Sequence, residues 1–323
     1  MSIVLEEKTY AQKMAEEVEP YLELHGESRE TERENGKRIF YVKYLADQPK
    51  GVVLISHGFT ESTEKYKENI YYFLKAGYDV YMHDHCGHGR SYRLVEDMSL
   101  VYVDRFERYV EDLLHMTKLI EKEHPGLPLY LYGHSMGGGV AAAAAARRPK
   151  VYAKLILSSP MIRPITGGLP WGVTKLIDGA ACLMGKEKDY VPGAHPYGGM
   201  EKFEDSASVN KERFLYYEKK RATQSIYQTC APSFGWLREA IRLNHDLQSQ
   251  AWKRISVPVL LFQSGKDTFV VGEQQELFVK KINEHGKTRA KLVRFPEAKH
   301  EIFNSDSDTV ERYWNMIFKF MQE

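Results

Sequence analysis

Cysteine is scarce in this chain: Cys86, Cys182 and Cys230 are the three in 323 residues, and they lie far apart. An odd, scattered set excludes a disulfide framework and a cysteine zinc cluster, and it fits a reducing cytoplasm. Excess charge of one sign is missing too. The 45 basic and 44 acidic side chains leave a formal net charge of +1, so electrostatics gives no case for a nucleic-acid partner. No run of about 18 uncharged apolar residues occurs, which argues against a membrane-spanning helix. The stretch from Met1 to Pro20 is acidic and lacks the basic-then-apolar order of a secretion signal. Internal repeats are absent. The alanine run from Ala141 to Ala146 is explained by helix propensity alone.

What is present is an alternation. Short β-rich runs, Arg38–Tyr44, Val52–Ser56, Asp79–His83, Leu129–Tyr132, Lys154–Ser158, Val257–Gln263 and Lys291–Phe295, are separated by helical patterns. Those patterns are Lys65–Ala76, Asp104–Glu123, Met136–Arg147, Gly272–His285 and Asp308–Met321. This order predicts an α/β fold, a mostly parallel central sheet with helices on both faces. Between Pro160 and Ala251 no clear strand appears. A structureless connection of that length is implausible, so the segment reads as a mainly helical cap inserted over the C-terminal edge of the sheet, where such sheets place their ligands. The expected organisation is a charged, helical N-terminal extension over 1–35, a core over 36–160 and 251–323, and a cap over 161–250.

The densest chemical signal is Gly133-His134-Ser135-Met136-Gly137, set between an apolar strand and an alanine-rich helix. A serine on such a strand–turn–helix corner is held clear of the sheet, and the helix N-terminus points N–H groups at developing negative charge. A serine hydroxyl also needs a base, and the base needs an orienting acid. Asp267 follows the strand Val257–Gln263, and His300 follows Lys291–Phe295, so both fall in loops at strand C-terminal ends. Ser135, Asp267 and His300 are the expected nucleophile, acid and base. His285 reads instead as a helix C-terminus. The oxyanion donors expected are the amides of Met136, after the nucleophile, and Phe59, in the glycine-containing loop after Val52–Ser56. His83, His85 and His88 approach the spacing of binuclear zinc hydrolases, but Gly87 stands where that motif needs an aspartate, so no metal is expected. Trp171, Phe234 and Trp236 are candidate pocket walls, and Arg163 is a candidate contact for a phosphate head.

With these residues in place the chain resembles the monoacylglycerol lipase and bacterial lysophospholipase branch of the α/β-hydrolases. The resemblance rests on His57-Gly58-Phe59, Gly87-His88-Gly89-Arg90-Ser91, Gly133-His134-Ser135-Met136-Gly137-Gly138, Asp267 and His300-Glu301. An arginine usually precedes Gly-His-Gly in that family, and here Cys86 takes its place. Pro232 to Leu237 and His300 to Asn304 bring the lysophospholipase side closer. The resemblance implies an α/β-hydrolase fold and hydrolysis of a lipid acyl ester through a Ser135 acyl-enzyme, without metal or other cofactor. A small-ester esterase, peptidase or acyltransferase would use the same triad. The apolar segment from Gly167 to Met184 can pack on the core, line an acyl tunnel or rest on a lipid surface. The expected setting is cytoplasmic or peripheral to the inner membrane surface. The expected partner is a lipid or small ester, with no protein partner implied.

Overall fold

Apolar residues that alternate along a strand serve two cores, one on each side of a sheet. The computed structural model, which describes residues 4–323, is built on this rule. Its strands are β1 (Gly26–Glu34), β2 (Lys37–Tyr44), β3 (Val52–Ser56), β4 (Asp79–His83), β5 (Leu100–Val101), β6 (Leu129–His134), β7 (Tyr152–Ser158), β8 (Ala231–Pro232), β9 (Val259–Ser264) and β10 (Ala290–Phe295). Eight of them form one sheet in the order β1-β2-β4-β3-β6-β7-β9-β10. β2 is antiparallel to both neighbours, and every pairing from β4 to β10 is parallel. Val52, Leu54, Leu129, Leu131, Leu155 and Leu157 face one core, which the helices Glu107–Glu123 and Ser135–Arg147 cover. Val53, Ile55, Tyr130, Tyr132 and Ile156 face the other, beneath the helices Lys67–Lys75 and Ser307–Gln322. The alanine run is buried on all sides of its helix, which lets that helix lie close to the sheet.

The N-terminal extension departs from expectation. Residues 10–25 are helical, with one π-helical turn at Met14–Val18, but Gly26–Glu34 is an edge strand of the main sheet. The first three residues of the extension lie outside the described residues. β1 and β2 form a hairpin in which Asn35 and Gly36 have φ of 49° and 75°. Asn-Gly at a two-residue turn favours two positive φ values, because that twist matches the strands it joins. The β1 sequence GESRETERE has no apolar face, so period-2 reading had nothing to detect.

Between β7 and β9 the chain is mainly helical, with Trp171–Leu183, Lys211–Thr223 and Phe234–Asp246 the long elements. The last of these continues without a break through Leu247–Ala251 and Trp252–Arg254. The expected boundary at 250 therefore falls inside a helix. Its residues Ala240, Leu243, Leu247 and Ala251 join the same buried cluster as the alanine helix. The two-residue strands β5 and β8 pair in parallel and tie the core loop at Leu100 to the cap.

Candidate active site

β6 ends at His134, and the helix Ser135–Arg147 begins on the next residue. The reversal forces Ser135 to φ 52°, a region that non-glycine residues rarely adopt. Tight contact surrounds the corner. A Cβ on Gly137 would lie 2.2 Å from the Ser56 carbonyl oxygen, and one on Gly133 would lie 2.6 Å from that of Gly137. Glycine at both positions is thus a packing requirement of the turn.

Two loops converge on the serine. His300 Nδ1 lies 2.7 Å from Asp267 Oδ2, and its Nε2 lies 2.8 Å from Ser135 Oγ. A carboxylate only accepts, so Nδ1 carries the proton and Nε2 is free to receive the serine hydroxyl. Asp267 Oδ1 accepts the backbone N–H groups of Phe269 and Val270 at 2.8 and 3.0 Å. Burial raises the Asp267 pKa, but the adjacent His300 and the two amides more than offset it and hold the carboxyl below its ordinary value. The His300 ring also faces Phe269 at 5.0 Å and His134 at 4.9 Å between centroids. His285 ends an outer helix and is exposed.

Above Ser135 opens a cavity of about 710 Å³. Phe59, Met161, Pro164, Ile165, Trp236, Phe269 and Val270 supply apolar lining, and Glu61, Lys65, Tyr217, Glu218, Arg221 and Glu301 supply polar lining. The Phe59 and Trp236 rings pack together at 4.2 Å. Of the expected wall residues, Trp236 is in place. Phe234 is not: two positions away on a helix is about 200° of rotation, and its buried side chain lies outside the lining. Trp171 and Arg163 belong to a different groove of about 800 Å³, shared with Lys175, Ile241 and Arg242. There the Arg163 guanidinium stands 5.6 Å from the Trp171 ring centroid. Trp171 and Lys175, one helical turn apart, both line that groove, and neither lines the cavity over Ser135.

Sequence reasoning missed a buried ionic cluster beside the triad. Lys65 pairs with Glu61 at 3.0 Å and with Glu301. Glu61 also accepts the Gly58 N–H and the Tyr66 hydroxyl, each at 2.6 Å. Glu301 accepts from Ser208 at 2.8 Å and Asn304 at 2.7 Å. Burial alone would raise both carboxyl pKa values; Lys65 instead holds them below the usual range. Burial would lower that of Lys65, and Glu301 and Glu61 raise it. His134 Nδ1 donates to the Ser158 carbonyl at 3.1 Å, and burial lowers its pKa to about 4, which leaves it neutral at pH 7. The signal available was the i, i+4 spacing of Glu61 and Lys65, together with an acid next to His300.

Below the Phe59 loop lie four buried histidines. The His57 and His85 rings are 4.5 Å apart, those of His83 and His85 4.7 Å, and those of His57 and His88 5.2 Å. Burial lowers the pKa of all four, that of His83 to about 3. No group of three or more His, Cys, Asp or Glu among the described residues is arranged to hold a metal ion.

The family model described as serine aminopeptidase, S33, matches residues 47–307. The chain belongs to this family, within the α/β-hydrolase superfamily. Among curated relatives, a monoacylglycerol lipase of Mycolicibacterium smegmatis is 29% identical over 83% of this chain and 88% of its own. Lysophospholipase L2 of Escherichia coli is 26% identical over 74% of this chain and 70% of its own. The solved monoglyceride lipase of Saccharomyces cerevisiae shares the fold, with a TM-score of 0.68 and 20% identity over 92% of this chain and 94% of the other. No helix among the described residues is long and apolar enough to cross a membrane.

Proposed function

We propose that this serine hydrolase cleaves the acyl ester of a lysophospholipid or monoacylglycerol, with Ser135 as nucleophile. The observation that carries the reading is the chain Asp267–His300–Ser135, at 2.7 and 2.8 Å, opening on a cavity with an apolar wall. The names of the relatives support the substrate class. Ser135 Oγ attacks the ester carbonyl as its proton passes to His300 Nε2. Asp267 stabilises the imidazolium. The amides of Met136 and Phe59 bind the oxyanion, the first among the helix N–H groups that lack an intrahelical partner. His300 then protonates the leaving alcohol and draws a proton from the water that releases the fatty acid. No step calls on a metal or other cofactor.

The helix Trp171–Leu183 and its flanks carry Leu169, Val173, Leu176, Leu183 and Met184 on one face, with Leu176 75% and Leu183 91% exposed. We infer that this face rests on the lipid surface that presents the substrate. Three unpaired cysteines support a cytoplasmic setting, which makes the inner membrane face the surface concerned.

The direct test is fatty-acid release from lysophosphatidylcholine and from monoacylglycerol of matched chain length, with Ser135→Ala as the blank. Release from the first confirms the lysophospholipase reading, and release from the second alone places the enzyme with the glyceride lipases. Cleavage of short esters and of neither lipid overturns the lipid substrate.

A further inference from the structure

The helix Lys211–Thr223 presents two faces. Phe214, Tyr217, Glu218 and Arg221 line the Ser135 cavity, and their i, i+3, i+4, i+7 spacing is that of one helical stripe. Arg213 borders the same cavity, and with Tyr216 and Lys220 it fastens the helix to the helix Lys67–Lys75, the turn before it and the N-terminal stretch. Arg213 is 2% exposed. Its Nε donates to both Glu68 carboxylate oxygens at 3.1 Å, and its Nη2 donates to Glu68 Oε1 at 2.9 Å and to the Leu5 carbonyl at 2.8 Å. Its Nη1 reaches the Ser305 carbonyl at 3.3 Å, and its guanidinium covers the Tyr10 ring at 5.0 Å. One and two turns on, the Tyr216 hydroxyl and Lys220 Nζ both donate to Glu19 Oε1 at 2.6 Å. Lys220 also reaches Glu64 at 2.7 Å, and Tyr10 meets Tyr216 edge to face at 6.2 Å.

A buried arginine with a bidentate carboxylate partner has a fixed geometry, and loosening either end leaves a charge unpaired in the interior. The carboxylate partner is Glu68 of the helix Lys67–Lys75, and the stretch from Leu5 to Glu19 adds the Leu5 carbonyl, the Tyr10 ring and the Glu19 carboxylate to the fastening of the cavity helix, although Leu5, Tyr10 and Glu19 do not themselves line the cavity. We propose that Arg213 and Glu19 are positioning residues for substrate fit: through them the N-terminal stretch sets the cavity wall that receives a long-chain ester. The proposal rests on the reading of this cavity as the substrate site, and it extends that reading to a segment with no chemistry of its own.

Glu19→Gln is the informative variant, because Glu19 is partly exposed and Lys220 keeps Glu64 as a partner. We expect KM for a long-chain lysophosphatidylcholine or monoacylglycerol to rise about fivefold, the scale of one partly buried charged contact. The kcat/KM for a short-chain ester and the rate of Ser135 labelling by a small fluorophosphonate should stay within about twofold. Lys220→Gln should match it, and the double variant should fall well short of the product of the two effects. Amide hydrogen exchange over residues 211–223 should speed up in Glu19→Gln while that over residues 135–147 does not. Unchanged KM, equal losses on short and long esters, or unchanged exchange over residues 211–223 would each overturn the proposal. Absence of ester cleavage by the parent enzyme would overturn the functional reading, and the exchange comparison would still decide whether the N-terminal stretch holds the wall.

Discussion

Ser135 is held in a conformation that serine adopts reluctantly, and its neighbours tolerate no extra atom. Ser135→Ala keeps the backbone and removes the proposed nucleophile, so kcat for ester hydrolysis should fall roughly 10⁴–10⁶-fold. Asp267→Asn should cost on the order of 10⁴, because an amide no longer fixes the proton on His300 Nδ1. Steady-state hydrolysis of a chromogenic ester measures both. Gly137→Ala drives a methyl into the Ser56 and His57 carbonyls. It should cost about 3 kcal/mol, at the upper end for overpacking, and appear as a lower urea midpoint. At this scale the sequence was legible where chemistry fixes both residue type and order: Ser135, Asp267 and His300 meet as expected. It was not legible where the rotation of a helix decides. Trp171 and Phe234 are aromatic residues of the cap, as a pocket wall would have, yet each points elsewhere. The Glu61–Lys65–Glu301 cluster comes from two distant segments, and only the fold brings them together.

At the level of elements, the parallel strands were readable because burial on both faces leaves continuous apolar runs. β1 was not readable that way, since its stability comes from pairing with β2 and from ions such as Arg33–Asp112 at 2.9 Å and Lys43–Glu27 at 3.1 Å. Asn35-Gly36 was the one local sign of it. Helix starts carry their own chemistry. Ser233 Oγ accepts the Trp236 N–H at 3.0 Å and so caps the helix that brings Trp236 to the cavity. Ser233→Ala should cost about 1 kcal/mol, seen in the denaturation midpoint, and should raise KM more than it lowers kcat because the first turn that carries Trp236 frays.

For the molecule as a whole, the buried histidines set an acid limit. His83 and His134 titrate near 3 and 4 in the folded protein because burial disfavours their charged forms. An unfolded histidine titrates near 6.5. Between those values the unfolded chain binds more protons than the folded one, so stability declines as pH falls from about 6.5 toward 4. Glu19 adds to the decline lower down. Burial would raise its pKa, but bonds from Lys220 and Tyr216 depress it to about 2. Its contribution is therefore present above the ordinary carboxylate range and fades as pH drops from about 4.5 toward 2. Urea midpoints taken from pH 7 to 4 should trace the histidine part, and His83→Leu should flatten the slope. A slope unchanged by that replacement would remove His83 from the account. The hairpin strand β1 has a consequence of another kind. An open sheet offers unpaired backbone groups at its rim, a template on which other chains can stack. Here that rim is lined by Glu27, Arg29, Glu30, Glu32, Arg33 and Glu34, and an incoming strand would have to strip water from all of them. The acidic and basic side chains that hid this strand from pattern reading guard the protein against edge-to-edge aggregation.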